Sequence, residues 1–444
     1  MREYETLADA EEYLNSVPRF VQDSSPEHTA QLLERLGAST YPFRVIHVAG
    51  TNGKGSVCAC LESVFRSAGT RTGLFTSPHL DHITERIRID GKEISEERFL
   101  SAFRKVMREI RKMQEEGFPH PTWFGLVFAV GMTVFCGEKI DLLVMETGLG
   151  GRLDATNALR KKDLCVITSI SRDHTEHLGD TVPEIAAEKA GILRAHVPVV
   201  YDASVPEAAR IIRERAEALG APQYVWTPDM TQITEYSGNG ISFVLRNQFF
   251  DALPVSIPFP AEYQAANISV ALTAARVFDR EHNLPDALLQ EAASSLRWPG
   301  RMEQVLPGVY LDGAHNEDGI RQFLKTVRRL SGPRPAALLF SAVKEKDHGQ
   351  MVRELCSGAA YSYIVVTQVP GSRMMGAEAL AELFRRLTDA PVLVCPKIGE
   401  ALETALRRKG ESILFCAGSL YLIGELKRRI ALLKERGSIP EGAG

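Results

Sequence analysis

The chain reads as an α/β protein of two domains. An N-terminal P-loop-type doubly wound sheet carries a small antiparallel β appendage, and a C-terminal Rossmann-like α/β domain follows. Three observations predict this. Short, bilaterally apolar runs alternate with helical patterns along most of the 444 residues, the signature of parallel sheets covered on both faces. A Gly-rich turn follows the first such run and opens a helix, and at this length two cores are the expectation.

The first series of strands is expected at Arg44–Val48, Thr72–Phe75, Ile140–Met145, Leu164–Ile170 and Val197–Tyr201. Helical spacing over Glu97–Met113 and Glu207–Leu219 supplies covering layers. From Gln223 to Pro260 the pattern turns alternating, with Ser237-Gly238-Asn239-Gly240 as a hairpin turn. Helix resumes at about Gln264 to Arg280, and the loop Trp298-Pro299-Gly300-Arg301 marks a boundary, giving domains 1–298 and 299–444. The second series comprises Val309–Leu311, Ala336–Phe340, Tyr363–Thr367, Val392–Cys395 and Ile413–Cys416, with helices at Asp318–Leu330 and Ala377–Leu387.

Composition narrows the class. A formal net charge of −4 gives no reason for a nucleic-acid or anionic-membrane partner. The apolar stretch Leu126–Cys136 is too short to span a bilayer, and the polar start Met1-Arg2-Glu3-Tyr4-Glu5 is unlike a signal peptide. Seven cysteines are dispersed without a zinc-like pair of pairs, which suits buried thiols in the cytoplasm. Nothing demands an oligomer, so a monomer is expected.

The chemistry concentrates at His47-Val48-Ala49-Gly50-Thr51-Asn52-Gly53-Lys54-Gly55-Ser56. Small residues let backbone N–H groups close around anionic oxygens, and the helix dipole adds positive charge. Lys54 is placed to reach terminal phosphates and Ser56 to touch a phosphate or Mg²⁺. A nucleoside triphosphate is the expected ligand. Other polar residues fall beyond strand ends, where open sheets bind ligands: Thr76-Ser77-Pro78-His79, Glu146, Asp173-His174, Asp312-Gly313-Ala314-His315-Asn316 and Gly418-Ser419. Ser77, Glu146 and His174 suggest metal ligation, whereas Lys189 on its own reads as a solvated or ion-paired helix residue.

In order along the chain, these motifs resemble the folylpolyglutamate synthase and dihydrofolate synthase family, a branch of the Mur ligases. The match runs from about residue 20 to 425. It includes Gly50–Ser56, Thr76–Leu80 with Glu85-Arg86-Ile87, Glu146 with Gly148–Asn157, Asp173–Gly179, Glu188–Ile192, Trp298–Glu303, Leu311–Asn316 and Gly418–Glu425. The resemblance implies an ATP-dependent ligase that joins L-glutamate to a folate or to dihydropteroate through an acyl phosphate. It places Thr51, Asn52, Gly53, Lys54, Gly55 and Ser56 on the ATP phosphates, with Asn267, Arg301 and Asp312 on the nucleotide. It also implies two Mg²⁺ ions, one on Ser77 and Glu146 and one on Glu146, His174 and Lys189, the lysine being carbamylated. His315 and Ser419, with Asp154 nearby, would meet glutamate, and the loop from Ser77 to Gly91, with His79 and Leu80, would help form the pterin-side pocket. Lys54, Glu146, His174 and Lys189 thereby become the catalytic set.

Two positions depart from the family pattern. Gly125 replaces the Glu of Thr-Phe-Phe-Glu, and Tyr263 replaces the His of Gly-x-His-Gln. Both leave the phosphate loop intact and open the acceptor to alternatives. These are a Mur-type ligase acting on a non-folate carboxylate and, in a different class, a nucleotide-dependent switch.

Overall fold

The computed structural model describes residues 4–18, 25–281, 283–344, 347–370 and 374–436. Met1–Glu3 and the start of the resemblance near residue 20 lie outside the described residues. The first sheet has eight strands, β1 (Arg44–Ala49), β2 (Thr72–Phe75), β3 (Ile87–Ile89), β4 (Lys92–Glu93), β5 (Leu142–Glu146), β6 (Leu164–Ile167), β7 (Val199–Asp202) and β8 (Gln223–Trp226). Their spatial order is β4-β3-β2-β5-β1-β6-β7-β8. The six from β2 to β8 run parallel, and β3 and β4 add an antiparallel edge. The chain leaves β1 toward β2 on one side and later crosses to β6 on the other. Its carboxyl end is therefore the switch point where a ligand crevice forms.

Alternation along β1 explains why both faces are covered. Val45 points into a core with Phe99, Phe103 and Phe128, from the helices Glu96–Glu115 and Trp123–Gly137. Ile46 and Val48 point the other way, against Val57 and Leu61 of the helix Lys54–Ser67 and Ile268 of the helix Glu262–Phe278. Phe128 meets Phe75 edge-on at 5.4 Å; each such buried ring stabilises the layer by roughly 2–3 kcal/mol. The apolar stretch at Leu126 is this buried helix. Among the described residues no helix is long and apolar enough to cross a membrane.

The appendage is a three-stranded antiparallel sheet of β9 (Thr231–Tyr236), β10 (Ile241–Asn247) and β11 (Phe250–Ile257). Its turn falls where expected, with Ser237 N donating to Gly240 O at 2.9 Å. One expectation is corrected. Gln223–Trp226 is the parallel edge strand β8 of the large sheet, and only Trp226 of its residues is buried. An edge strand covered so thinly alternates like an antiparallel one.

The second sheet follows the order β12-β13-β17-β14-β15-β16. Its members are β12 (Glu303–Leu306), β13 (Val309–Leu311), β14 (Ala336–Phe340), β15 (Tyr361–Val366), β16 (Val392–Val394) and β17 (Ile413–Ala417). Only β12 is antiparallel, a polar edge strand absent from the apolar pattern. The N-terminal helices Leu7–Ser16 and Pro26–Arg35 were also not anticipated, although Thr6 caps the first and Ser25 with Pro26 starts the second.

Candidate active site

The phosphate loop joins β1 to the helix Lys54–Ser67. Gly50 has φ +151°, and a Cβ there would sit 1.8 Å from Thr168 Oγ1. Gly53 has φ +87°, and a Cβ there would sit 2.1 Å from Asn267 Oδ1. Both positions therefore exclude a side chain, and the second puts Asn267 against the loop. Lys54 Nζ donates to Thr51 O at 3.1 Å and lies 3.9 Å from Glu146 Oε1. Ser56 Oγ is buried with no hydrogen-bond partner among the described residues. An orphaned hydroxyl in the first turn of a helix suits an oxyanion or its metal ion. Trp298 closes the loop's outer side; a Cβ on Gly55 would come 3.0 Å from its ring.

Glu146 is the last residue of β5, in register with Val48 beside the phosphate loop. Burial raises its carboxyl above the usual range, while Lys54, the Ser77 amide and Arg301 oppose the rise. That amide donates to Glu146 Oε2 at 3.0 Å. Lys189 lies in the last turn of the helix Val182–Ala190, which starts with a capping box from Thr181 to Glu184. Only 3% exposed, Lys189 donates from Nζ to Gly50 O at 2.8 Å. The solvated reading of this lysine is excluded. It is held against the phosphate loop.

Ser77, Trp123, Asp154, His174, His315 and Ser419 line one cleft of about 1410 Å³. His174 precedes the short helix Thr175–Leu178 with φ 52°. His315 and Ser419 come from the second sheet's side; Ser419 Oγ caps the helix Leu420–Glu435, and His315 Nδ1 is 2.7 Å from Gly313 O.

Several anticipated residues are engaged within the protein. Asp154 Oδ1 accepts from Thr156 N at 3.0 Å and Thr156 Oγ1 at 2.5 Å, and Oδ2 accepts from Leu149 N at 2.8 Å. It buckles the Gly148–Asn157 loop, and burial raises its carboxyl. Asp312 accepts from Met302 N at 2.9 Å and Ala314 N at 2.8 Å, and Tyr263 OH donates to it. Burial raises both the Asp312 carboxyl and the Tyr263 hydroxyl. Arg301 Nη1 donates to Gly300 O at 3.1 Å. Neither His79 nor Leu80 lines the large cleft. His79 Nδ1 accepts from Arg86 Nε at 2.9 Å, and Leu80 packs onto the second domain, where a Cβ on Gly424 would meet its carbonyl oxygen at 2.0 Å.

Sequence reasoning assigned Arg86 no role beyond its place in the Glu85-Arg86-Ile87 motif. It is a buried cation lining the cleft, with its guanidinium 4.7 Å over the Trp123 ring. Gly125 is buried just behind this wall and does not line the cleft; a Cβ there would meet Thr122 Oγ1 at 3.2 Å and Thr29 Oγ1 at 3.7 Å. Among the described residues no group of three or more His, Cys, Asp or Glu forms a ready metal cage. Mg²⁺ at a phosphate loop needs few protein ligands, because phosphate and water oxygens complete its shell. Glu146, Ser77 and the orphaned Ser56 hydroxyl fit that donor set.

A phosphate loop whose Asn52 side chain reaches the second α/β domain, beside a cleft lined from both domains, fits an ATP-dependent ligase of the Mur type. Residues 126–275 match the Mur ligase middle domain and residues 300–420 the Mur ligase glutamate ligase domain. The Bacillus subtilis (strain 168) dihydrofolate synthase/folylpolyglutamate synthase is 31% identical over 435 residues, 95% of this chain and 98% of that protein. The chain belongs to the dihydrofolate synthase/folylpolyglutamate synthase family. Among solved structures, E. coli FolC in complex with DHPP and ADP superposes with TM-score 0.85 at 26% identity, covering 98% of this chain and 100% of that one. Mycobacterium tuberculosis folylpolyglutamate synthase complexed with ADP and AMPPCP gives TM-score 0.86 at 25% identity, covering 97% and 99%.

Proposed function

We propose that this chain adds L-glutamate to a reduced folate, and to dihydropteroate as well, at the expense of ATP. The observation that carries this reading is one cleft faced both by the phosphate-loop domain, with Ser77 and His174, and by His315 and Ser419 of the other domain. A carboxylate oxygen of the acceptor attacks the γ-phosphorus, ADP leaves, and an acyl phosphate remains. The glutamate amine then attacks the acyl carbon, phosphate leaves with the bonding pair, and the amine loses a proton. Lys54 and the loop amides hold the γ-phosphate oxygens as charge spreads over them. Two Mg²⁺ ions, when bound, neutralise triphosphate charge; Ser77 and Glu146 would hold one, and Glu146, His174 and carbamylated Lys189 the other. Asn267, Arg301 and Asp312 would border the nucleotide, and His315 and Ser419 would orient the glutamate. Arg86 adds a cation at the acceptor end, suited to an anionic tail. The chain would act as a monomer in the cytoplasm, divided near residue 298.

Product mass spectrometry tests the reading. Purified protein is incubated with Mg-ATP and L-glutamate plus tetrahydrofolate, dihydropteroate or neither. Glutamyl mass gain on tetrahydrofolate establishes the synthase, and gain on both acceptors makes it bifunctional. Intact acceptors with intact ATP would move the acceptor beyond folates.

A further inference from the structure

Asn52 lies inside the phosphate loop, yet its side chain points away from the first domain. Its carbonyl is anchored there, accepting from Thr168 Oγ1 at 2.6 Å and Ser169 Oγ at 3.4 Å. Its amide crosses the cleft. Asn52 Nδ2 donates to Asp318 Oδ2 at 2.9 Å and to Asn316 Oδ1 at 3.4 Å. Asn316 Nδ2 donates back to Asn52 Oδ1 at 3.0 Å and to Asp173 Oδ2 at 2.8 Å. All four amide hydrogens are thus used. The orientation is also determined, because flipping either amide would set an oxygen against a carboxylate that only accepts. Asn316 is 5% exposed, and its Oδ1 also caps the helix Glu317–Ser331 through Gly319 N at 2.8 Å. Its chain neighbour is His315, and the neighbour of Asp173 is His174, both lining the cleft.

We propose that Asn316 is a positioning residue for the ligase reaction. Its amide latches the second domain to the phosphate loop and to the loop carrying His174. The inference rests on the ligase reading above. With the latch made, His315 and Ser419 stand beside the γ-phosphate before transfer occurs. The acyl phosphate then forms only where the glutamate amine can reach it. Without the latch, water attacks instead, returning the carboxylate and free phosphate, so ATP is spent with no amide made.

The test separates the latch from the helix cap. Asn316→Ser keeps an oxygen that caps Gly319 N but loses both amide donors; Asn316→Ala loses cap and donors. Full-length protein is assayed for glutamyl product formed per ADP released, and for ADP release without glutamate. Both variants should lose about tenfold in product per ADP, the effect of one hydrogen bond to a charged group, with ADP release persisting and KM for ATP little changed. Asn52→Ala combined with Asn316→Ser should lose no more than either alone. Retention of the wild-type ratio by Asn316→Ser would overturn the proposal and leave Asn316 a helix cap. Small-angle X-ray scattering with AMPPCP gives a reading independent of turnover. A larger radius of gyration in Asn316→Ser supports the latch, and unchanged dimensions overturn it. Absence of product from the wild type would count against the ligase reading, while scattering would still decide the latch.

Discussion

Two buried lysines show how location decides what an amine can do. Lys189 touches Gly50 O beneath the phosphate loop, so converting it to a carbamate would put negative charge where a metal ion is needed. Lys189→Ala should lose about a hundredfold in ligation, the upper end of what losing even an outer partner of a metal site costs, and short carboxylic acids should restore part of it. Undiminished activity in the alanine variant would end the ligand assignment. Lys162 is buried away from the phosphate loop, donating to Asn157 Oδ1 at 2.7 Å and Ile192 O at 3.0 Å, and burial pulls its pKa down to about 7. The unfolded chain holds this proton up to about pH 10. Between about 7 and 10 the unfolded state therefore binds more protons, and folding stability rises with pH by about 1 kcal/mol per unit from this group. Urea midpoints measured from pH 7 to 9 should rise more steeply in the wild type than in Lys162→Met; equal slopes would refute the shift. At this scale the sequence showed which residues were unusual but not what they touched. Asp154 and Asp312 fall in the loops beyond strand ends like ligands, and their oxygens are taken by Thr156, Leu149, Met302, Ala314 and Tyr263. Only folding brings Tyr263 to Asp312, 49 positions apart.

Among the elements, the Gly148–Asn157 loop depends on close backbone approach. A Cβ on Gly151 would stand 2.8 Å from the carbonyl oxygens of Glu188 and Lys189. Neither can retreat without moving the turn that carries Lys189, so Gly151→Ala should lower stability by about 1–3 kcal/mol. It should also weaken nucleotide binding in Mg²⁺. A melting temperature and AMPPCP affinity matching the wild type would show that the loop yields freely. The central strands were legible because burial on both faces leaves continuous apolar runs: Thr72–Phe75, Val309–Leu311 and Ala336–Phe340 form as expected. Of the edges, only β16 was, as an apolar run at Val392–Val394. The edge strands β4, β8 and β12, and β3 beside β4, carry polar residues, so their pattern resembles loop or hairpin.

The molecule as a whole places its working parts on two sheets that meet across one cleft. Glu146 feels Lys54 from its own domain and Arg301 from the other, and Leu80 of the first domain lies against Gly424 of the second. A site complete within one chain, as proposed, would have a direct consequence for mixtures. An Arg301→Ala variant combined with a Ser419→Ala variant should recover no more activity than the sum of the two. Substantial complementation would mean that the cleft is shared between subunits.

The chain has three tryptophans, and two of them mark opposite ends of its chemistry. Trp298 rests on Gly55 at the phosphate loop with the Arg88 guanidinium 5.5 Å from its ring, and Trp123 lies under Arg86, where the acceptor is proposed to bind. The third, Trp226, is buried at the sheet edge. Indole emission responds to neighbouring charge, so each substrate has its own built-in optical probe. Single-tryptophan forms of the protein should therefore time nucleotide arrival and acceptor arrival separately, without any attached dye.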